Sequence, residues 1–239
     1  MLKYYDGTVF NARAEAMVNT VNCTGVMGAG IALEFKLRFP KMFDNYKERC
    51  EKNEIQVGKV SHFKDEGYTI VNFPTKQDFK YPSKIEWIES GLKDFVRTYD
   101  RSDFKNIAFP KLGTSNGGLD WAVVKTLMEK YLSDLEIDVI VCLDIMEEAR
   151  GIEAKMVSIF NDNNVSILKD MLRLTKKQKD ALRSAAPVKR FWHLSELDGI
   201  GITTYSKLFN ICFDTARYEK TQRPQSGLSD FSQRRPSES

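Results

Sequence analysis

Residues Asn19–Ala32 read N-T-V-N-C-T-G-V-M-G-A-G-I-A. They run from an apolar, β-branched stretch, Ala16–Val21, through three glycines into a segment with apolar residues at Ile31, Leu33, Phe35 and Phe39. That pattern is a buried strand, a glycine-rich loop and a helix. Gly25, Gly28 and Gly30 permit tight turns and close approach of a ligand to the backbone. The helix that follows offers N–H groups with no intrahelical partner and a positive dipole end, which suits a pyrophosphate. The loop is neither G-x-x-x-x-G-K-[ST] nor G-x-G-x-x-G, so its glycines alone leave a purely structural turn open. The Asn22 amide at the strand exit adds a donor and an acceptor for a sugar hydroxyl.

Outward from this loop, strand-like and helix-like segments alternate over the first 145 or so residues. Leu2–Tyr5 reads as a short edge strand. Gly30–Phe39 and Lys41–Lys52 read as helices, with Pro40 in a first turn where proline is tolerated. Lys59–Phe63 and Tyr68–Phe73 read as strands about a turn at Asp65–Gly67. Ser83–Arg97 reads as a helix capped by Ser83, with Glu86 completing a capping box. Ile107–Pro110 is a short buried strand, Asp120–Leu132 a helix, and Asp138–Leu143 a continuous apolar strand of the kind covered on both faces. The alternation implies an α/β fold with a mixed, mostly parallel sheet between helices. Ligands of such sheets bind in loops beyond the carboxyl ends of strands. Three loops qualify: Asn22–Gly30, Pro74–Tyr81 and Lys111–Leu119.

The third of these, K-L-G-T-S-N-G-G-L-D, is a second backbone cradle, and one ligand with two phosphates would explain both cradles. In the second, Lys76 follows an apolar strand and Pro74 and should project at the same mouth. A lysine there can bind phosphate as a cation or, if desolvated, attack a sugar aldehyde; a solvated surface lysine is the plain alternative. Asp120 is placed to cap the last helix, or to act as a general acid or base near Lys76.

The chain has 239 residues, 42% of them apolar, enough for one domain and an appendage. No run approaches the roughly 18 apolar residues of a membrane span, and MLKYYDGTVF lacks the features of a signal peptide. A cytoplasmic location is the expectation. Cys23, Cys50, Cys142 and Cys212 form no C-x-x-C pair and only two histidines accompany them, so neither a zinc site nor a disulfide framework is expected. Neither a metal nor a cofactor is expected. Residues 1–150 carry 21 basic and 23 acidic side chains, leaving 15 and 10 for residues 151–239. The second part therefore either touches something anionic or is a solvated basic surface.

From about Ile145 the chain lacks strand patterns. Glu147–Phe160, Val165–Leu174, Lys176–Ala185, Val188–Leu197 and Thr203–Phe213 read as helical, and from Glu219 the Ser, Arg, Gln and Pro composition reads as disordered. L-S-E-L-D-G-I-G-I-T-T-Y-S-K-L, within 194–210, has the pattern of a helix-hairpin-helix. In one reading, Gly199, Ile200 and Gly201 offer N–H groups to a DNA phosphate, helped by Thr203 and Lys207. In the other, the same residues are a glycine-stopped helical hairpin.

Taken together, V-N-T-V-N-C-T-G-V-M-G-A-G-I-A-L-E-F, N-F-P-T-K and G-T-S-N-G-G-L-D-W resemble the macrodomain, an ADP-ribose-binding fold, over residues 1–145. The branch they resemble holds the DarG-type antitoxins and is similar to the vertebrate terminal ADP-ribose glycohydrolases. The resemblance implies a macrodomain at 1–145, a small mainly helical region at 146–218 and a tail at 219–239. It implies that Asn22, Gly25, Val26, Met27, Gly28, Ala29, Gly30 and Ile31 line the distal ribose and one phosphate. Thr75 joins the site, and Gly113, Thr114, Ser115, Asn116, Gly117, Gly118 and Leu119 wrap the other phosphate and the distal ribose. Lys76 falls on the family's catalytic lysine and Asp120 on its carboxylate partner. Thr8, within Asp6-Gly7-Thr8-Val9, stands where the family commonly has an adenine-binding aspartate, leaving Thr8 and the Val9 backbone for that contact. The implied activity is removal of ADP-ribose from DNA bases, reversing a DarT-type toxin. The implied partners are ADP-ribosylated DNA and a cognate ADP-ribosyltransferase toxin. A non-catalytic ADP-ribose reader, or a toxin-binding protein acting through residues 146–239, are the alternatives.

Overall fold

The computed structural model describes residues 1–65, 67–99, 103–162 and 172–222. The chain divides into two units, Met1–Arg150 and Gly151–Ser239. The first is built from β1 (Leu2–Tyr5), β2 (Ala16–Val21), α1 (Gly30–Arg38), α2 (Pro40–Glu51), β3 (Ser61–Asp65), β4 (Tyr68–Pro74), α3 (Ile85–Thr98), β5 (Asn106–Pro110), α4 (Trp121–Leu132) and β6 (Asp138–Cys142). The six strands lie in the order β1-β6-β5-β2-β4-β3. Every pairing is parallel except the antiparallel β3–β4 edge.

The two-residue period of a strand sorts side chains onto two faces. Ala16, Val18, Val71, Phe73, Ile107, Phe109, Val139 and Val141 pack against Ile88, Leu92 and Phe95 of α3 and Val124, Met128 and Leu132 of α4. Their neighbours Met17, Val21, Ile70, Ala108, Ile140 and Cys142 pack on the other side against Phe35, Phe39, Met42 and Tyr46. α3 lies so close to β4 that a Cβ on Gly91 would stand 2.4 Å from the Phe73 ring.

β2 pairs with β4 along its whole length, Ala16↔Thr69 through Val21↔Pro74. On its other side it pairs with β5 only at Ala16↔Ile107 and Met17↔Ala108. The two strands part toward their carboxyl ends, at the point where the chain, having built the sheet toward β3, returns to build it toward β1. In a parallel sheet that divergence is where a ligand crevice forms.

Several boundaries differ from the sequence reading. β3 starts at Ser61 and continues through Asp65. Helix α3 starts after Lys84, which makes no side-chain cap hydrogen bond, so the Ser83–Glu86 capping box does not form. Ser83 is instead bound into the neighbouring loop, its N–H donating to the Gly117 carbonyl at 2.9 Å.

In the second unit, α5 (Gly151–Asp162) begins four residues later than expected, α6 is Lys176–Ala185, and Phe191–Glu196 is a 3-10 helix. α7 (Ile202–Gln222) carries on four residues into the segment expected to be tail. Most of the helix expected at Val165–Leu174, and the tail from 223 to 239, lie outside the described residues. An aromatic cluster organises this unit: the Phe191 ring meets Phe160 at 6.4 Å, Tyr205 at 6.0 Å and Phe209 at 5.8 Å. Beside it Arg190 Nε donates to Glu153 at 3.0 Å, with both side chains buried. No described helix is long and apolar enough to cross a membrane.

Candidate functional site

The three loops expected to act together do meet, and they meet at Asn116. Lys76 Nζ, on the loop after β4, donates to the Asn116 carbonyl oxygen. From the first loop, Gly30 lies so near that a Cβ on it would stand 2.8 Å from Asn116 Nδ2. The first two loops are also stitched together, by Cys23 N–H to the Gln77 carbonyl at 3.2 Å and Thr75 N–H to the Val21 carbonyl at 2.9 Å.

Asn22 organises the first loop through its amide. Oδ1 accepts from the Thr24 N–H and hydroxyl, both at 2.9 Å, and Nδ2 donates to the Val26 carbonyl at 2.5 Å. The Tyr46 hydroxyl, from α2, lies 2.8 Å from the Asn22 carbonyl oxygen and 3.0 Å from Oδ1, its one proton serving both. The amide expected to meet a sugar hydroxyl thus also folds its own loop, which engages one of its two Nδ2 hydrogens. Gly25 and Gly30 have φ of +77° and +56°, where a side chain would be strained. Met27 is 1% exposed and anchors the loop in the core, so only its backbone can face a ligand. Gly28, Ala29 and Gly30 are left exposed, at the start of α1.

Loss of the Tyr46 hydroxyl should therefore loosen the loop. Tyr46→Phe is expected to cost about 1–3 kcal/mol, the range for an unsatisfied buried acceptor. A thermal melt should fall by several degrees, and calorimetry should show weaker ADP-ribose binding.

The third loop closes on itself through Leu119 N–H to the Gly113 carbonyl at 3.0 Å and Gly118 N–H to Ser115 at 3.1 Å. Gly113 and Gly118 have φ of +67° and +74°. Gly117 is required for space: a Cβ there would stand 2.2 Å from the Gly113 oxygen and 2.5 Å from Ser83 Oγ. Ser83 Oγ is itself buried without a hydrogen-bond partner among the described residues. Sequence reading assigned Ser83 to a cap and missed this place beneath the loop; the crowding that explains it is tertiary. Gly117→Ala should force the cradle apart at a cost of about 1–3 kcal/mol, as overpacking does. ADP-ribose affinity, measured by calorimetry, should fall about 10-fold or more.

Asp120 caps α4, its Oδ1 accepting from the Val123 N–H at 3.2 Å. Its side chain is exposed, and among the described residues no ion pair joins it to Lys76. Thr8 donates its hydroxyl to Asn11 Oδ1 at 2.7 Å, and Asn11 Nδ2 donates to the Arg150 carbonyl at 3.1 Å. Val9 is 2% exposed and Thr75 4%, so Val9 can reach a ligand only through its backbone. Cys23, at the rim of the first loop, has its thiol pushed up to about 11 by burial, with the Cys50 thiol adding to the effect. It is protonated near neutrality and is no nucleophile. A depression of about 390 Å³ lined by Glu15, Lys64, Thr69 and Asp103 lies at the opposite, amino-terminal edge of the sheet and contains none of these residues.

In the second unit Gly199 has a φ of +85° and its carbonyl accepts from Gln178 Nε2 at 3.3 Å. Gln178 also donates to Thr204 Oγ1 at 3.1 Å, and Lys177 pairs with Asp198 at 2.8 Å. The glycine turn is thereby fastened to the start of α6, which accounts for Gly199 on structural grounds. Gly201 and Lys207 are exposed.

The family model for the Macro domain matches residues 18–128. A DNA ADP-ribosyl glycohydrolase of Mycobacterium tuberculosis is 41% identical over 147 residues, 59% of this chain and 42% of its own length. A DNA ADP-ribosyl transferase–DNA ADP-ribosyl glycohydrolase fusion protein of Thermosipho africanus is 34% identical over 163 residues, 60% of this chain and 42% of its own length. The chain thus spans about two fifths of the length of the curated relatives it matches. Among solved structures, the macrodomain of Mycobacterium tuberculosis DarG superposes with a TM-score of 0.57 at 40% identity, covering 59% of this chain and 97% of that one. Thermosipho africanus DarTG in complex with ADP-ribose superposes with a TM-score of 0.58 at 33% identity, covering 64% and 44%. With its crevice between β2 and β5 and the loops that converge on Asn116, the chain belongs to the macrodomain family.

Proposed function

We propose that this chain is a glycohydrolase that removes ADP-ribose from modified DNA bases. The observation that carries the reading is the position of Lys76: a half-buried amine between two glycine cradles, held to one of them by the Asn116 carbonyl. A protein that only reads ADP-ribose needs the cradles and not the amine. The similarity to proteins named as DNA ADP-ribosyl glycohydrolases supports DNA as the modified substrate.

The first cradle, Gly25 to Ile31, and the second, Gly113 to Leu119, take the diphosphate and distal ribose on backbone N–H groups and the dipole of α1. Thr8 and the Val9 backbone serve the adenine end, and Thr75 supports Lys76 from the strand exit. Lys76 Nζ, as the neutral amine, forms a bond to C1 of the distal ribose as the bond from C1 to the base nitrogen breaks, and sheds to Asp120 the proton it then carries in excess. The base leaves with that electron pair and receives a proton by way of Asp120. The ribose ring of the adduct opens to a Schiff base between C1 and Nζ, the ring oxygen taking up a proton; water hydrolyses the C1–Nζ double bond, releasing ADP-ribose and restoring Lys76.

Incubation of the chain with ADP-ribosylated DNA and, separately, with ADP-ribosylated protein tests the reading. Release from DNA in preference to protein is the expected result; binding without release from either would make the chain a reader. The Thermosipho africanus fusion favours a second role beside this one, partnership with a DNA ADP-ribosyltransferase toxin whose product the chain removes. Co-purification of the two proteins would test it.

A further inference from the structure

Between the end of β4 and the start of α3 the chain makes an excursion whose two ends are pinned to adjacent residues. It leaves at Lys76, bound to the Asn116 carbonyl, and returns at Ser83, whose N–H donates to the Gly117 carbonyl at 2.9 Å. In between, Asp78 folds the backbone inward: its Oδ1 accepts from the Lys80 N–H at 2.9 Å and its carbonyl from the Tyr81 N–H at 3.3 Å. The turn thus displays Phe79 and Tyr81, 47% and 65% exposed, beside the site. Other exposed aromatics of this unit have partners: Tyr4 donates to Glu129 at 2.7 Å and Tyr68 packs edge-on against Phe39. Cations accompany the rings, with Lys80 Nζ 5.7 Å from the Phe79 centroid and Lys84 Nζ 5.1 Å from that of Trp87. Asp78 and Glu86 are the only carboxylates from Gln77 to Trp87, and Asp78 is turned onto its own loop.

Two exposed rings two residues apart, beside a ligand crevice, make a contiguous apolar patch of the kind that marks an interaction surface. Aromatics interleaved with lysines match a polymer in which flat bases alternate with phosphates. We infer that Phe79 and Tyr81, with Lys80 and Lys84, form a stacking platform for the bases flanking the modified nucleotide of single-stranded DNA. The platform explains how an enzyme whose cradles grip only ADP-ribose could favour a nucleic-acid substrate, and it rests on the function proposed above. A strand lying there is single, since stacking on a ring requires a base free of its own duplex neighbours.

The test compares the full chain with its Phe79→Ala/Tyr81→Ala double variant on two substrates, an ADP-ribosylated oligonucleotide and the ADP-ribosylated mononucleoside. The platform touches only the former. The expected result is a loss of roughly 10-fold or more in kcat/KM on the oligonucleotide, with unchanged turnover of the mononucleoside. The Phe79→Tyr/Tyr81→Phe variant should restore the oligonucleotide rate. Equal losses on both substrates, or none on either, overturn the inference. If the unaltered chain releases ADP-ribose from neither substrate, the glycohydrolase reading fails. Binding of labelled oligothymidine to the chain and to the double variant then decides the platform separately: weaker binding by the variant supports it, and equal affinities overturn it.

Discussion

Lys76→Ala should lower the rate of ADP-ribose release from modified DNA by on the order of 10³-fold while leaving ADP-ribose binding within a few-fold of the unaltered chain. The cradles make no use of the lysine side chain except at the Asn116 carbonyl, which is an exposed loop group that water can satisfy. Binding and release should therefore separate. Calorimetry with ADP-ribose gives the first quantity and chromatography of released ADP-ribose the second. Lys76→Arg distinguishes the two ways a lysine can act. Arginine keeps the cation and cannot serve as a nucleophile, because its guanidinium stays protonated. Formation of the C1–N bond predicts that Lys76→Arg is as slow as Lys76→Ala. Borohydride should trap an adduct on the unaltered chain alone. A Lys76→Arg variant that retained most of the rate would show the lysine to be a point charge at the departing base. Full release by Lys76→Ala would remove Lys76 from the chemistry altogether.

The place of Lys76 was legible in the sequence because every step toward it is local. An apolar strand ends at Pro74, and the glycines that must lie opposite are marked by their own composition. The strand and helix pattern was legible for the same reason, since period-2 and period-3.6 burial appear in the residues themselves. What could not be read locally is what tertiary contact decides. Ser83 has the residue type and spacing of a helix cap, with Glu86 three residues on. Its backbone is taken by Gly117 and its hydroxyl lies under the loop. Asn22 has the chemistry to meet a sugar. Its own stretch gives no sign that Tyr46, 24 residues away, also holds it to its loop. The Phe79–Tyr81 turn carries no signal of periodicity at all. It became visible only when its two anchors, Asn116 and Gly117, proved to be neighbours on another loop. The residues whose role depends on a distant partner are those on which composition and spacing were silent or misleading.

Asp120→Asn is the variant that separates fold from chemistry at the carboxylate. Asp120 has an assured structural duty, accepting from the Val123 N–H at the start of α4. An alanine there would remove that cap, costing about 0.5–2 kcal/mol, and any loss of activity would be ambiguous. Asparagine caps a helix about as well as aspartate, so Asp120→Asn should hold the melting temperature within a degree or two. It cannot carry a proton between a departing base and water. Only Oδ1 is engaged in the cap; among the described residues Oδ2 has no hydrogen-bond partner. Asp120 directly follows Leu119, whose N–H closes the third loop onto Gly113. The proposed proton path through Asp120 requires a rate loss of about 10²-fold or more on ADP-ribosylated DNA, the usual scale of general acid–base catalysis. A variant with an unchanged melt and rate would reduce Asp120 to a helix cap, and the departing base would then take its proton from water, with Lys76 as the remaining catalytic side chain.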